Sequence, residues 1–497
     1  METLGSQAKK VIRAYPKKIA VKFEGEMIDY ETLFKRAMAI SSYLKAQGLK
    51  KGDRFGILMS NMLESIELDL AAAFGGFIKV PLNYKLHPNE HKFMIDDADL
   101  SLIIGERNLI DPIGVAVPTV YIGKDYDSII TEYYGEEFEE EVNEDDLFAI
   151  MYTSGTTGNP KGVMLSHKNI LAGALSLSLV CETNNRDVIG HVAPLTHGSN
   201  FLSHMAWLHG TTQVIYNKFS PEEFLDDVEK DKVSIIFLVP TMVNLMIQHP
   251  QFDPEKLASV KSINMAGSPI AASKLQLALD KLGTKFVETY GQVEAPMCIT
   301  VMPRDELGNR LESAGRTGPF VDMKIINSEG NEVPTGEVGQ ITCKGSLVMQ
   351  GYWNNEKATN ETLIDNWLQT GDLGWVNKEG YLHIVDRIKD VIISGGVNIY
   401  PREVEEVLNK HTGVKEACVI GVPDDKWGEN VIAYIVPNGT REVTEEDLLN
   451  LCKDHLASFK KPKEVHIVDG LPKSSYGKIL KRELKTQHLA MNGVASE

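Results

Sequence analysis

The run Tyr152-Thr153-Ser154-Gly155-Thr156-Thr157-Gly158-Asn159-Pro160-Lys161-Gly162 places glycines, hydroxyls and one base directly behind the apolar residues 147–151. Glycines let a backbone turn so that several N–H groups aim at one anion, and hydroxyls and an ammonium add donors and charge. The chemistry open to such a loop is phosphate binding. It is not a Walker A loop, which needs Gly directly before the Lys, where this chain has Pro160. A second region suited to anions lies near the C-terminus. Residues 455–485 hold eight bases against three acids, a local excess of +5 that is either a solvated surface or an anion-handling face.

The loop resembles the phosphate loop of the adenylate-forming enzymes, a superfamily of acyl-CoA synthetases, luciferases and peptide-synthetase adenylation domains. Further motifs of that family follow in order along nearly the whole chain. In the first, the resemblance assigns Thr153, Ser154, Gly155, Thr156, Thr157, Gly158 and Lys161 to ATP. Tyr290-Gly291-Gln292-Val293-Glu294 is similar to a second motif, in which the aromatic packs near adenine and Glu294 helps to hold Mg²⁺. A hard cation takes carboxylate oxygen and neutralises a pyrophosphate leaving group. Val293 stands where the family usually has Thr, so the hydroxyl contact to the α-phosphate is missing here. Gly267, Ser268 and Pro269 are placed by the same resemblance at the nucleotide.

Gln369-Thr370-Gly371-Asp372 resembles the element whose carboxylate accepts hydrogen bonds from the ribose hydroxyls, and Arg387 matches a residue that also reaches the ribose. Lys389 matches the hinge about which a small C-terminal domain swings. Ser394, Gly395 and Gly396 match backbone that lines the tunnel for the coenzyme A thiol. Lys478, in Leu471-Pro472-Lys473-Ser474-Ser475-Tyr476-Gly477-Lys478, matches the catalytic lysine that bridges the attacking carboxylate and the α-phosphate. His197 falls where the acyl-pocket helix of the family begins, beside the substrate carboxylate; the absence of Asp there speaks against an amino-acid substrate.

The resemblance thus implies an acyl-CoA synthetase using ATP, Mg²⁺ and coenzyme A. A carboxylate attacks the α-phosphate to give an acyl-adenylate and pyrophosphate, and the thiol then displaces AMP. Pocket walls fall on residues 199–207, 265–269 and 295–299, mostly apolar or small, which suits a medium- or long-chain fatty acid or an aryl acid. An enzyme loading a carrier protein and a non-catalytic binding relative are the alternatives. Retention of Lys161, Glu294, Asp372, Arg387 and Lys478 argues against the last.

The elements that must carry these residues alternate in kind. Apolar positions 33, 37, 40 and 44 make one helical stripe. Residues 55–59 then read as a strand, 64–74 as a helix and 77–80 as a strand. The rhythm returns with strands at 233–239 and 285–289 around a helix at 273–282. It predicts an α/β fold with parallel sheets. From about Gly315 the texture becomes hairpin-rich and antiparallel. After Arg387 a helix from Pro401, strands at 417–420 and 431–436, and a helix at 444–456 predict a small α+β domain, which the resemblance implies is mobile. The expected boundary divides residues 1–388, carrying the nucleotide and acyl site, from 389–497.

Composition sets the outer limits. The 497 residues are 43% hydrophobic and 24% charged, and 51 Lys+Arg against 69 Asp+Glu give a net charge of −18. That excludes a chain devoted to binding nucleic acid or anionic membrane over a broad face. Residues 136–146 hold eight acids and read as a solvated connector. Five widely spaced cysteines form no framework or zinc pattern and suit a reducing, cytoplasmic setting. The apolar stretch 68–82 is broken by Asp69 and Lys79 and is too short to span a bilayer. A homo-oligomer is left open.

Overall fold

Strands that are apolar on both faces need cover on both faces, and the α/β alternation supplies it. In the computed structural model, which describes residues 2–153, 160–268, 270–473 and 478–491, the strands form four sheets. Seven strands make one largely parallel sheet, running from Gly351–Tyr352 through Lys161–Ser166, Leu147–Thr153, Ile78–Pro81, Arg54–Leu58 and Leu102–Gly105 to Thr119–Tyr121. Nine strands make the other, from Arg316–Thr317 through Ala295–Met302, Phe286–Gln292 and Ser262–Met265 to the edge hairpin Ile19–Phe23 and Glu26–Asp29. The helices Tyr30–Ala46, Leu63–Gly75, His167–Val180 and Gly198–His209 join both sheets in one core that includes Leu33, Ile66, Phe148, Leu177, Trp207 and Phe237.

The antiparallel texture after Gly315 becomes a five-stranded sheet built from residues 321–387. The last sheet uses only residues 392–467 and has its own apolar core around Ile399, Val404, Val419, Ile435 and Leu448. The expected elements sit within a few residues of their sequence positions: the helix at 64–74 is Leu63–Gly75, and the helix from Pro401 is Pro401–Leu408. The described residues contain no helix long and apolar enough to cross a membrane. All five cysteines are buried and unpaired.

The helix Leu63–Gly75 shows why this arrangement is specific. It is buried along nearly its whole length, so its two buried acids, Glu67 and Asp69, need partners. Glu67 pairs with Arg36 and accepts from the Tyr126 hydroxyl at 2.8 Å. Asp69 meets Lys79 at 2.5 Å and accepts from Asn200 Nδ2 at 2.7 Å, and Lys79 also donates to Asn200 Oδ1 at 2.8 Å. Burial works against ionising Asp69, yet Lys79 and His204 outweigh it and hold the carboxyl down at about 2. The pair ties the helix Gly198–His209, which His197 opens, to the neighbouring strand and helix. Asp69→Ala leaves Lys79 without its counter-ion in the interior, and is expected to cost about 3–5 kcal/mol, read as a lower denaturant midpoint. The double change Asp69→Leu with Lys79→Met should recover most of that loss; a single mutant as stable as the parent would contradict this account.

Candidate active site

The phosphate-type loop joins two antiparallel strands, Leu147–Thr153 and Lys161–Ser166, and the register sets Thr153 opposite Lys161. Ser154, Gly155, Thr156, Thr157 and Gly158 lie outside the described residues, as does Pro269. The Lys161 ammonium sits 4.9 Å from the centroid of the Tyr352 ring. The Tyr352 hydroxyl donates to Glu294 Oε1 at 2.8 Å. One aromatic ring therefore brings the loop base and the expected metal-binding acid into the same place.

Glu294 occupies the turn of a hairpin between Phe286–Gln292 and Ala295–Met302. The same hairpin carries Tyr290, Gly291 and Gln292. A Cβ on Gly291 would lie 2.6 Å from the Met297 backbone nitrogen, so the close approach of the two arms requires glycine there. Tyr290 donates through its hydroxyl to Asp372 Oδ2 at 2.7 Å, while Arg387 Nε lies 3.3 Å from Oδ1. Burial, reinforced by the Asp372 charge, pushes the Tyr290 phenol well above its usual range, so it remains a donor. The sequence reading placed Tyr290 beside adenine; the structure adds a hydroxyl that bonds Asp372, the expected ribose acceptor. Each Asp372 oxygen keeps a lone pair in reserve, so two ribose hydroxyls can still be received. The Asp372 backbone N–H donates to Thr370 Oγ1 at 3.1 Å, and Gln292 Nε2 donates to the Thr370 carbonyl at 3.3 Å. Gly267 and Ser268 follow the strand Ser262–Met265, two strands away from the hairpin's outer arm.

Lys478 is brought to this acid from the C-terminal sheet's side. By surface area the residue is exposed, yet its ammonium is held down to about 8. Lost hydration is the larger cause and the Arg387 and Lys389 charges add to it, with Asp372 and Asp390 pulling the other way. Lys389 lies in the short helical turn Ile388–Asp390 and is itself lowered by burial. Asp372, Arg387, Lys389 and Lys478 thus lie close enough for their charges to act on one another.

Ser394, Gly395 and Gly396 belong to the fourth sheet. They form the end of the hairpin Ile392–Ser394 and Val397–Ile399, in which Gly395 and Gly396 take φ of +59° and +78°. Two consecutive left-handed residues make the tight turn that right-twisted strands favour, and glycine adopts it without cost. The tip is exposed, flanked by exposed Ile393, Val397 and Trp427.

His197 caps the helix Gly198–His209 from its N-terminal side and is half-buried. Burial pushes its imidazole down to about 4, so at neutral pH it is an uncharged hydrogen-bonding group. Sequence reasoning missed Tyr352, whose position in a two-residue strand carries no periodic signal. It also missed Arg402, which joins the third sheet to the fourth: its backbone N–H donates to Asp386 Oδ2 at 2.8 Å, and its Nη1 donates to the Ile384 carbonyl at 3.1 Å.

Lys161, Glu294, Asp372 and Arg387 on a two-sheet α/β body, with Lys478 brought near Asp372 from beyond the fourth sheet, make a set of groups suited to a phosphorylated ligand. Comparison with known proteins places the chain further. The AMP-binding enzyme family matches residues 8–353, and the AMP-binding enzyme C-terminal domain matches residues 403–478. The chain belongs to this family, among its AMP-forming acid–thiol ligases. It is 34% identical to feruloyl-CoA synthase of Amycolatopsis sp over 97% of this chain and 98% of that protein. It is 32% identical to 2-succinylbenzoate–CoA ligase of Bacillus cereus (strain AH820), over 98% of both. The crystal structure of ATP-bound MatB from Rhodopseudomonas palustris superposes with a TM-score of 0.90 at 31% identity, covering 97% of this chain and 99% of that one. The apo form of MatB superposes at 0.80.

Asp372 is the test of the cradle. Asp372→Ala removes the acceptor shared by Tyr290 and Arg387 and is expected to weaken AMP binding roughly 10- to 100-fold by calorimetry, since charged hydrogen bonds are the strong ones. Unchanged AMP affinity would show that the ribose sits elsewhere.

Proposed function

We propose that the protein is a carboxylic acid–coenzyme A ligase that forms an acyl-adenylate and then a thioester, with an aryl acid as substrate. The observation that carries the reading is the convergence of Lys478 with Arg387, Lys389 and Asp372 while the 394–396 tip faces solvent. That is the arrangement wanted for the first half-reaction. The likeness to feruloyl-CoA synthase and 2-succinylbenzoate–CoA ligase supports an aryl acid.

ATP would lie with its phosphates at residues 153–161 and its ribose on Asp372, steadied by Arg387. Glu294 would hold Mg²⁺. The donor set fits, because Mg²⁺ takes one or two carboxylates and fills its shell with phosphate oxygens and water. No cluster of three His, Cys, Asp or Glu among the described residues offers a closed site instead. Bound there, the ion would neutralise charge on the departing pyrophosphate. The substrate carboxylate lies beside neutral His197, and one oxygen attacks the α-phosphorus as the bond to pyrophosphate breaks. Lys478 holds the two anions together while that charge develops.

For the second half, residues 389–497 turn about Lys389 relative to 1–388. The turn withdraws Lys478 and brings the Ser394, Gly395 and Gly396 tip to the adenylate. The coenzyme A sulfur then attacks the acyl carbon, its proton is lost, and AMP leaves. Five buried, unpaired cysteines support a reducing, cytoplasmic setting.

Pyrophosphate and AMP release with acetate, octanoate, palmitate, benzoate and 4-coumarate tests the reading. The aryl acids should exceed palmitate by about tenfold or more in kcat/KM, a discrimination of the size one pocket can supply. No acid-dependent release with any of them would refute the assignment. Lys478→Ala is expected to slow adenylation by at least about 100-fold and largely spare thioester formation from preformed adenylate. Equal loss in both halves would sink the two-position mechanism. The pH profile follows from the same lysine. Its charged form is the active one and predominates below about 8, so kcat/KM for adenylation should fall as pH rises through that value. Lys478→Arg, charged throughout, should lose this alkaline limb whatever its absolute rate.

A further inference from the structure

Lys161 and Glu294 carry opposite charges in one cradle, where an acid and a base ordinarily attract and pair. Here they form no ion pair with each other, and Tyr352 stands between them. The ring attracts the Lys161 ammonium from 4.9 Å through its π face, which takes up none of the strong acceptor geometry a phosphate would offer. The hydroxyl donates to Glu294 Oε1 at 2.8 Å, while Oε2 has no hydrogen-bond partner among the described residues. A direct pair would spend both the donors that a phosphate needs and the oxygen that a cation needs.

The placement of Tyr352 is itself over-determined. The residue is 6% exposed and lies on the strand Gly351–Tyr352, antiparallel to Lys161–Ser166, in register with Val163. Val163 and Lys161 are two residues apart and share a face of their strand, so the pairing sets the ring beneath the lysine. The Trp353 N–H donates to the Gly162 carbonyl at 2.7 Å, and the Met349 N–H to the Glu294 carbonyl at 2.8 Å. The Tyr352 N–H donates to Thr359 Oγ1 at 2.9 Å. The segment is therefore stitched on one side to the loop strand and on the other to the turn that bears the acid. Burial and the Glu294 charge raise the phenol well above its usual range, which keeps it a donor.

We infer that Tyr352 is a positioning residue of the nucleotide site, holding Lys161 and Glu294 apart and aimed so that Mg²⁺ and ATP meet both with their pairing groups unspent. The inference rests on the proposed roles of Lys161 at phosphate and Glu294 at the metal.

The test is calorimetric titration of Mg²⁺ into the enzyme–ATP complex without acid, so that no adenylate forms, followed by initial rates with acid. Tyr352→Phe keeps the ring and loses only the hydroxyl. It is expected to weaken Mg²⁺ binding about tenfold, with metal-free ATP affinity and the acid KM within about twofold. Tyr352→Leu loses the ring as well and should weaken metal-free ATP binding by a further factor of about five. Should Tyr352→Leu fail to fold, Tyr352→Phe and Glu294→Gln decide the matter. If Glu294→Gln weakens Mg²⁺ binding and Tyr352→Phe adds nothing in that background, Tyr352 acts through Glu294. If the two effects add, or if Tyr352→Phe binds Mg²⁺ like the parent while Glu294→Gln does not, the positioning role is overturned. If Glu294→Gln leaves Mg²⁺ binding intact, the metal assignment fails first, which separates the two readings.

Discussion

Asp372 and Arg387 face one another across two antiparallel strands, and both halves of the site depend on that register. The strands are Trp367–Val376 and Leu382–Arg387, and Arg387 is the last strand residue before the helical turn that leads to the fourth sheet. The same pair therefore fixes Asp372, the proposed ribose acceptor, and the end of the third sheet from which the chain passes to the fourth. A slip of one residue would turn Asp372 to the opposite face and carry that end of the sheet with it. Tyr290 guards against this from a different sheet, because its hydroxyl reaches Asp372 Oδ2 only when that register holds. Thr370, between the Gln292 amide and the Ile341 carbonyl, does the same for the residue two positions earlier.

Around that pair the charge arrangement is unfavourable until an anion arrives. Arg387 and Lys389 both depress Lys478, while Asp372 and Asp390 offset them only in part. Three cations converging on two acids suit a polyanionic ligand better than an empty pocket. The chain as a whole carries −18, so this local inversion of sign focuses the ligand where the overall field would repel it. Interior ions follow the opposite rule: Asp69 with Lys79, and Glu67 with Arg36, are matched one to one, because burial leaves no later partner to balance them.

The contrast explains what the sequence could and could not reveal. Strand and helix periods depend on neighbours a few residues away, so 64–74, 273–282 and the hairpin-rich texture after Gly315 were legible. The motif residues were legible because their order along the chain is itself the signal. Pairing across the chain leaves no such trace. Nothing local says that Gly351–Tyr352 lies beside Lys161–Ser166, or that Ile19–Phe23 lies beside Thr212–Ile215. Tyr352 was unreadable for that reason: its partners are 191 and 58 residues away. Asp69 and Lys79 were visible only as interruptions that excluded a membrane span. Their meaning, a buried pair seating the helix that His197 opens, required Asn200 from 131 residues further on to be brought beside them.

The joint between the body and the small unit has the chemistry of something that exchanges partners. Its described hydrogen bonds are Arg402 to the Ile384 carbonyl and to Asp386, and Lys274 to Asn409 and to the Lys415 carbonyl. Each such bond contributes about 0.5–1.5 kcal/mol net, since water can replace it when the joint opens. The apolar core of the small unit closes around its own residues, so a rotation at Lys389 would expose little of it. What favours the observed position beyond those bonds is the seat of Lys478 beside Asp372, and that seat is worth most when phosphate fills it. In the proposed reaction, departure of pyrophosphate would remove much of the negative charge that balances Lys478, Lys389 and Arg387, and the remaining repulsion would favour withdrawal of the lysine. The proposed alternation of positions would thus follow from the charge of the ligand itself, with the hydrogen bonds named above individually weak and replaceable.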